Sequence, residues 1–361
     1  MKNFNQKDME SIASSGMDLS ESMRCASFLQ QDNKVLLQRS LSDAVDILST
    51  PQALKKFPRL KKYFGKSFKS LNRDYPKDTE GGYFIRVKKG RTVKLPIQAC
   101  LFLKTKKFEQ KVHNVIIVEE GARVYLITGC AASSVAHEGF HLGISEFFVQ
   151  KGGYLNFTMV HSWREDVSVR PISIAMVEEG ASFISNYVCL RPVREIIMYP
   201  TAVALGSGAR VSFNSLILSH PSTLQDIGSR VIFKAKNAQA EIVARAVSLG
   251  GKVIARGHLK AEEQDVKAHL ECRGLLLSKQ GIIHAIPELE TDFRDVDLSH
   301  EAAIGKISRD EIEYLCSRGF SQQEAQAIII RGFMDIDILG LPQVLRKEIK
   351  ELEDKTLKAS L

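Results

Sequence analysis

Six cysteines, at positions 25, 100, 130, 189, 272 and 316, are the softest donors in this 361-residue chain, and no two of them lie close in sequence. Such spacing suggests neither a zinc knuckle nor a dense disulfide framework, so thiol chemistry must be assembled by the fold or between subunits. Cys272 has the most informative surroundings. It lies in Leu270-Glu271-Cys272-Arg273-Gly274-Leu275-Leu276-Leu277, a strand-like run, 28 residues before His300 and 29 before Glu301. Thiolate, imidazole and carboxylate together suit iron, and Arg273 is placed to stabilise the thiolate. Taken alone, a cysteine in an apolar run is ordinary core.

Other chemistries find little support. There is no G-x-x-x-x-G-K-[ST] nucleotide loop, H-E-x-x-H zinc helix or G-x-S-x-G nucleophile turn. Cys25, Cys100, Cys189 and Cys316 read as packing residues, and His113, His137, His141, His220 and His284 show no tight ligand spacing. The formal charge of +8 and pI near 9.1 raise the question of an anionic partner. Much of that charge is local: Lys55, Lys56, Arg59, Lys61, Lys62, Lys66 and Lys69 interleave with Leu54, Phe57, Leu60, Tyr63 and Phe64. Amphipathic spacing makes this a solvated helix face, with an acidic partner as the alternative and no nucleic acid expected. The start Met1 to Asp8 lacks an apolar signal core and no run approaches membrane-span length, so a cytoplasmic, membrane-free protein is expected.

The elements that must position Cys272 repeat. From about residue 82 to 296, short alternating runs are punctuated by turns at Gly90, Gly121, Gly153, Gly180, Gly208 and Asn237, separated by 31, 32, 27, 28 and 29 residues. Near-constant spacing predicts stacked coils, and a right-handed parallel β-helix is the economical form. An antiparallel barrel is the alternative, with turns expected every 8 to 12 residues. The expected organisation is a helical segment over 1–80, a β-helix over 81–297 and a helical segment over 298–361. One period of about 28 residues places Cys272 and His300 on neighbouring strands about 5 Å apart, with Glu301 on the other side of the pleat or turned at the coil end. Cys130 lies five such periods earlier, about 24 Å away.

Beyond the coils, Ser308 with Glu311 and Ser321 with Glu324 have capping-box spacing, so two helices should begin there. Ile312, Leu315 and Cys316 share a face of the first, Gly319 stops it, and Ala325, Ile328, Ile329 and Gly332 line the second. Pro342 suits the start of a third, carrying Val344, Leu345, Ile349 and Leu352.

His300-Glu301-Ala302, Ile304-Gly305-Lys306-Ile307, Tyr314-Leu315, Ser317-Arg318-Gly319, Glu324-Ala325 and Gly332-Phe333 together resemble the C-terminal signature of SufB and SufD. Lys62-Tyr63-Phe64-Gly65, Gly81 to Gly90 and Leu95-Pro96-Ile97-Gln98 extend the resemblance over about residues 60 to 340. That family scaffolds iron-sulfur cluster assembly. The resemblance implies a transient cluster held by Cys272, His300 and Glu301 at a homodimer interface that combines the SufB and SufD ligands in one chain. Arg273-Gly274 stands where SufB has Asp-Ser. Cys130 resembles the persulfide-accepting cysteine, with His161 and Trp163 on the interior sulfur path. Glu178 stands where the path has lysine and the entrance Arg-x-Asn is absent around Phe102 and Lys104, so direct sulfide entry is the rival. Energy would come from a SufC-like ABC-type ATPase docked on Ile312, Tyr314, Leu315, Arg318, Gly319, Phe320, Ile329 and Phe333, with a sulfur donor and apo-protein acceptors as further partners. The alternatives are a SufD-like structural partner without its own cluster and a β-helix enzyme acting on polysaccharide, for which Glu119-Glu120 and Glu178-Glu179 supply only turn carboxylates.

Overall fold

The computed structural model describes residues 4–18 and 23–334, so the helix expected from Pro342 lies outside the described residues. Two ten-stranded sheets face each other, and the chain climbs by placing successive strands alternately in one and the other. All pairings between successive coils are parallel. One sheet ends in Val266–Leu276 paired with Val296–Gly305, the other in Lys252–Ala261 paired with Ile282–Thr291. This is a parallel β-solenoid. Its two ends differ. At the N-terminal end Lys34–Ser40 and Val45–Ser49 pair antiparallel with Ala26–Gln31 and Tyr83–Val87, finishing both sheets with reversed strands. At the C-terminal end the last strands are parallel ones, and Ile282, Leu289, Phe293 and Ile304 are exposed there.

Period-two alternation fills the interior. In Lys252–Ala261, Val253, Ala255, Gly257, Leu259 and Ala261 are buried while the residues between them are not, so alternate Cβ atoms point inward to the space between the sheets. Phe147 stacks on Phe157 and Phe183 at 4.7 and 5.2 Å, and Phe183 reaches Phe213 at 6.0 Å, a file of rings running through successive coils. On the outer face, Asn186 Nδ2 donates to Asn156 Oδ1 at 2.9 Å and to Thr158 Oγ1 at 3.2 Å, and Asn214 Nδ2 donates to Asn186 Oδ1 at 2.9 Å. Continued coil by coil, the column of Asn186 and Asn214 reads Val243, Glu271 and Glu301.

The repeated turns form one corner. Gly90, Gly121, Gly152, Gly180, Gly208, Asn237 and Asp265 all have φ between 58° and 70°, a region that favours glycine and tolerates Asn and Asp. In the third of these turns Gly152, and not the expected Gly153, takes the left-handed position. The corner amides are bonded from coil to coil: Gly90 N donates to Glu120 O, Gly121 N to Lys151 O and Gly152 N to Glu179 O. Backbone groups at the bends therefore find partners without water.

The first eighty residues contain more than helix. Three strands within 26–49 complete the sheets, and the helical part is Gln6–Ser14, Thr50–Lys56, the 3₁₀ turn Pro58–Lys62 and Lys66–Ser70. The basic segment is not one continuous helix, because Pro58 starts a new turn and Gly65 sits at φ 72°. All seven of its cations are exposed, while Ala53, Leu60 and Phe68 pack against the outer side of the second sheet with Phe84, Ile144 and Ile174. A buried carboxylate fastens it. Glu146 accepts from Gly65 N, Ser67 N, Ser67 Oγ and His113 Nε2 at 2.5, 2.9, 2.6 and 2.8 Å.

Candidate functional site

The Cys272 strand and the His300 strand are neighbours, as their spacing requires, but their register is not the expected one. Cys272 lies opposite Ala302, and His300 lies opposite Leu270. Alternation keeps Cys272 and His300 on the same face, offset by two residues, which puts their Cα atoms about 8 Å apart instead of about 5 Å. The last coil is 30 residues long at this point, because residues 277–281 make a five-residue turn where the preceding coil uses three, 249–251. Cys272 is only 2% exposed and belongs to the core, whereas His300 is exposed. Burial, and secondarily the charge of Glu271, pushes the Cys272 thiol up to about 11. Arg273 does not reach this thiol to stabilise a thiolate. Its neighbouring position on the strand sends it to the opposite face, where its Nε is 2.9 Å from Glu271 Oε1 and its Nη2 is 3.6 Å from Glu301 Oε1.

On that outer face Glu271 and Glu301 are direct cross-strand partners. His269, two residues before Glu271, joins them, and one donor atom from each of the three lies within 4.8 Å of the others. Ser299 Oγ is 2.9 Å from His269 Nδ1 and fixes the ring. Beside His269 opens a groove of about 500 Å³, lined by Arg210, Glu241, Lys267 and Ser299 among others. His269 and Glu271 escape a reading of the sequence that looks for ligands around Cys272 alone. Their signal is the alternation Ala268-His269-Leu270-Glu271-Cys272, which sends histidine and glutamate to the face that Cys272 leaves.

Inside the solenoid, Cys130, His161 and Cys189 occupy one column on three successive coils. His161 Nδ1 is 3.0 Å from Tyr187 OH, and Gln225 Nε2 donates to Cys189 Sγ at 3.4 Å. Trp163 lies 5.6 Å from the His161 ring and 5.0 Å from that of His141, whose Nδ1 is 2.9 Å from Gln110 Oε1. His161 Nε2 and Trp163 Nε1 are buried without a hydrogen-bond partner. Burial sets the ionisation here: His141 is pushed down to about 3, His161 well below its ordinary value, Cys189 up to about 11 and Cys130 well above 9.0. The cluster is therefore neutral near pH 7. The structure thus brings together Cys130, His161 and Trp163 and adds His141, Tyr187, Cys189 and Gln225, which spacing alone does not reveal. Their column is displaced two residues from that of Cys272, since Cys130 leads through Cys189 and Ala246 to Gly274.

The helices Arg309–Ser317 and Gln322–Met334 follow the last strand, which runs to Gly305. The capping box forms at the second, where Ser321 N donates to Glu324 Oε2 at 2.8 Å and Glu324 N to Ser321 Oγ at 3.2 Å. At the first, Ser308 occupies the cap position without a side-chain bond. Gly319, at φ 96°, closes the first helix with Gly319 N on Cys316 O and Phe320 N on Leu315 O, a Schellman arrangement. Cys316 is exposed, contrary to a packing role. In the second helix Ala325, Ile330 and Met334 are buried and Ile328 is exposed; Ile330 and Met334 pack on Leu216, Leu218, Val247 and Leu275 of the outer sheet face. Tyr314, Arg318, Gly319 and Phe320 are exposed, and Ile312, Leu315, Ile329 and Phe333 are partly so. Among the described residues, no helix is long and apolar enough to cross a membrane.

Residues 102–333 match the family model for the SUF system FeS cluster assembly SufBD core domain. An "iron-sulfur cluster assembly SufBD family protein" of Archaeoglobus fulgidus is 45% identical over 347 residues, covering 95% of this chain and 93% of that protein. A protein of the same description from Methanothermobacter thermautotrophicus is 40% identical over 97% of this chain and 87% of its own length. The "iron-sulfur cluster assembly protein SufB" of Bacillus subtilis is 31% identical over 75% of this chain and 59% of its own. With a parallel solenoid between N- and C-terminal helices and a family match over most of its length, this chain belongs to the SufBD family of SUF system iron-sulfur cluster assembly proteins.

Proposed function

We propose that this chain is a non-catalytic scaffold on which a nascent iron-sulfur cluster is built between two copies of itself, in complex with a SufC-like ABC-type ATPase. The observation that carries this reading is the placement of Cys272 and His300 on one face of the last two strands of a sheet, with Glu301 next to His300 on the other face of its strand, beside exposed Ile282, Leu289, Phe293 and Ile304. A second copy set against this end brings two such sets together, giving thiol, imidazole and carboxylate donors for the cargo. Cys272 is protonated and enclosed in the single chain, so it binds iron only when the terminal coil opens and the thiol loses its proton. The exposed faces of the C-terminal helices are the docking surface, and closure of an ATPase pair on them supplies the opening motion. Cys130, His161 and Trp163 serve as the interior sulfur route, which burial keeps free of charge and which leaves His161 Nε2 and Trp163 Nε1 without partners of their own.

The burial of Cys272 also favours a second reading, a SufD-like partner that holds no cluster of its own. Anaerobic reconstitution with iron and sulfide separates the two. A scaffold gains visible charge-transfer absorption together with bound iron and sulfide, and the Cys272→Ala variant loses them while retaining its circular dichroism. Full cluster retention by Cys272→Ala removes the ligand role, and absence of any cluster on the wild-type chain selects the second reading.

A further inference from the structure

We propose that His269, Glu271 and Glu301 form a site for one divalent metal ion on the outer face of the last two coils, separated from Cys272 by the thickness of the sheet. Naming that ion as ferrous iron awaiting transfer rests on the assembly reading above; the site itself does not. One nitrogen and two carboxylate oxygens within 4.8 Å need only small rotamer changes to close on an ion at about 2.0–2.2 Å. Imidazole with carboxylates suits iron, manganese or zinc, and three protein donors leave positions for water or an incoming ligand. The bond between His269 Nδ1 and Ser299 Oγ is of the kind that orients a metal-ligating imidazole.

The arrangement is costly without a cation. Glu271 and Glu301 are like charges directly opposite each other across two strands, a destabilising pair. Arg273 offsets them incompletely. Glu271 Oε1 has no accessible surface and no hydrogen bond of usable geometry, although Arg273 Nε is 2.9 Å away. The Arg273 side chain is 43% exposed, with open solvent to turn into, so an entering ion displaces it and gives the orphaned oxygen a partner. Nearby Glu241, the sheet partner of His269, adds negative charge, while Lys267 subtracts from it.

The test titrates Mn2+, which does not require thiolate, into the full-length protein under anaerobic conditions and follows loss of the free-ion electron paramagnetic resonance signal. The proposal expects one ion per chain in the wild type and equally in Cys272→Ala, about hundredfold weaker binding in Glu271→Gln and in His269→Gln, and several-fold tighter binding in Arg273→Ala. The two ligand variants conserve shape, and equal thermal midpoints certify their fold. Unchanged binding in Glu271→Gln and His269→Gln, no binding in the wild type, or loss of binding in Cys272→Ala each overturns it. Normal Mn2+ binding by a wild-type chain that cannot be reconstituted with a cluster defeats the assembly reading while leaving this site intact.

Discussion

Thiol labelling offers a direct measure of how closed the terminal coils are. Cys272 is pushed up from 9.0 to about 11, so at pH 8 its thiolate fraction falls about a hundredfold relative to an ordinary thiol. Higher basicity makes each thiolate more nucleophilic, returning a factor of about 6–10 at a Brønsted slope of 0.4–0.5. Ionisation alone therefore slows alkylation about tenfold. Enclosure adds to this, because a side chain 2% exposed must wait for the last coil to part before iodoacetamide can reach it. Cys316, exposed on the C-terminal helix, is the internal reference. In a pulse-quench experiment read by mass spectrometry, Cys316 labels first and Cys272 lags it by tenfold at the least. Labelling of Cys272 accelerates about tenfold from pH 8 to pH 9, and denaturant equalises all six cysteines. On the proposed function, addition of a SufC-like ATPase with nucleotide raises the rate at Cys272 selectively. Equal rates at Cys272 and Cys316 in the isolated native chain would refute the view of a thiol hidden until partners act.

Buried titrating groups make two further expectations concrete. His141 is neutral in the fold and pushed down to about 3, whereas the unfolded chain takes up the proton near 6.5. Its stabilising contribution is complete above pH 6.5 and is lost as pH falls toward 3, amounting to about 2 kcal/mol by pH 5; urea midpoints should fall over that range, and His141→Gln should flatten the fall. A His141→Gln profile as steep as the wild type contradicts the assignment. Replacing Glu146 by Ala strands Gly65 N, Ser67 N, Ser67 Oγ and His113 Nε2 in the interior, at a cost of about 3–5 kcal/mol. Hydrogen exchange around residues 63–71 and urea unfolding should both register it, and a change below about 1 kcal/mol would mean that the carboxylate does not fasten the basic segment.

The solenoid was legible because its corner demands left-handed residues at every pass, and glycine or Asn marks most of them. Register across the terminal coils was not legible by counting a fixed period from one side chain to the next. Counted from the corner instead, Cys272 is seven residues past Asp265 and Ala302 seven past Asp295, and Asp265 N donates to Asp295 O, so the pairing follows. The two extra residues sit in the turn at 277–281, where they leave the strands undisturbed. Of the three N-terminal strands, Lys34–Ser40 escaped because it is a largely polar edge strand and Val45–Ser49 because it runs straight into a helix. Ser308 had the spacing of a cap but no side-chain bond, while Ser321 formed its box, since spacing states an opportunity that local geometry must still meet. The outer metal-ligating triad stayed hidden for a different reason: Glu271 and Glu301 become neighbours only once their strands are paired.

A stack of similar coils must also avoid joining the wrong neighbours. The amides of Asn156, Asn186 and Asn214 act as a key against such mispairing. A one-residue slip would turn Asn186 toward the aromatic file and leave its amide without acceptors in a dry interior, at about 1–3 kcal/mol per orphaned group. The key stops at Val243. Beyond it the adjoining sheet carries another device, the two-pronged grip of Arg256 on Asp226 at 2.6 and 2.9 Å, which spans one coil interval and tolerates no shift. Middle and later coils are thus proofread by different chemistry, and a chain that lost the amides should still complete its C-terminal turns while misthreading its centre.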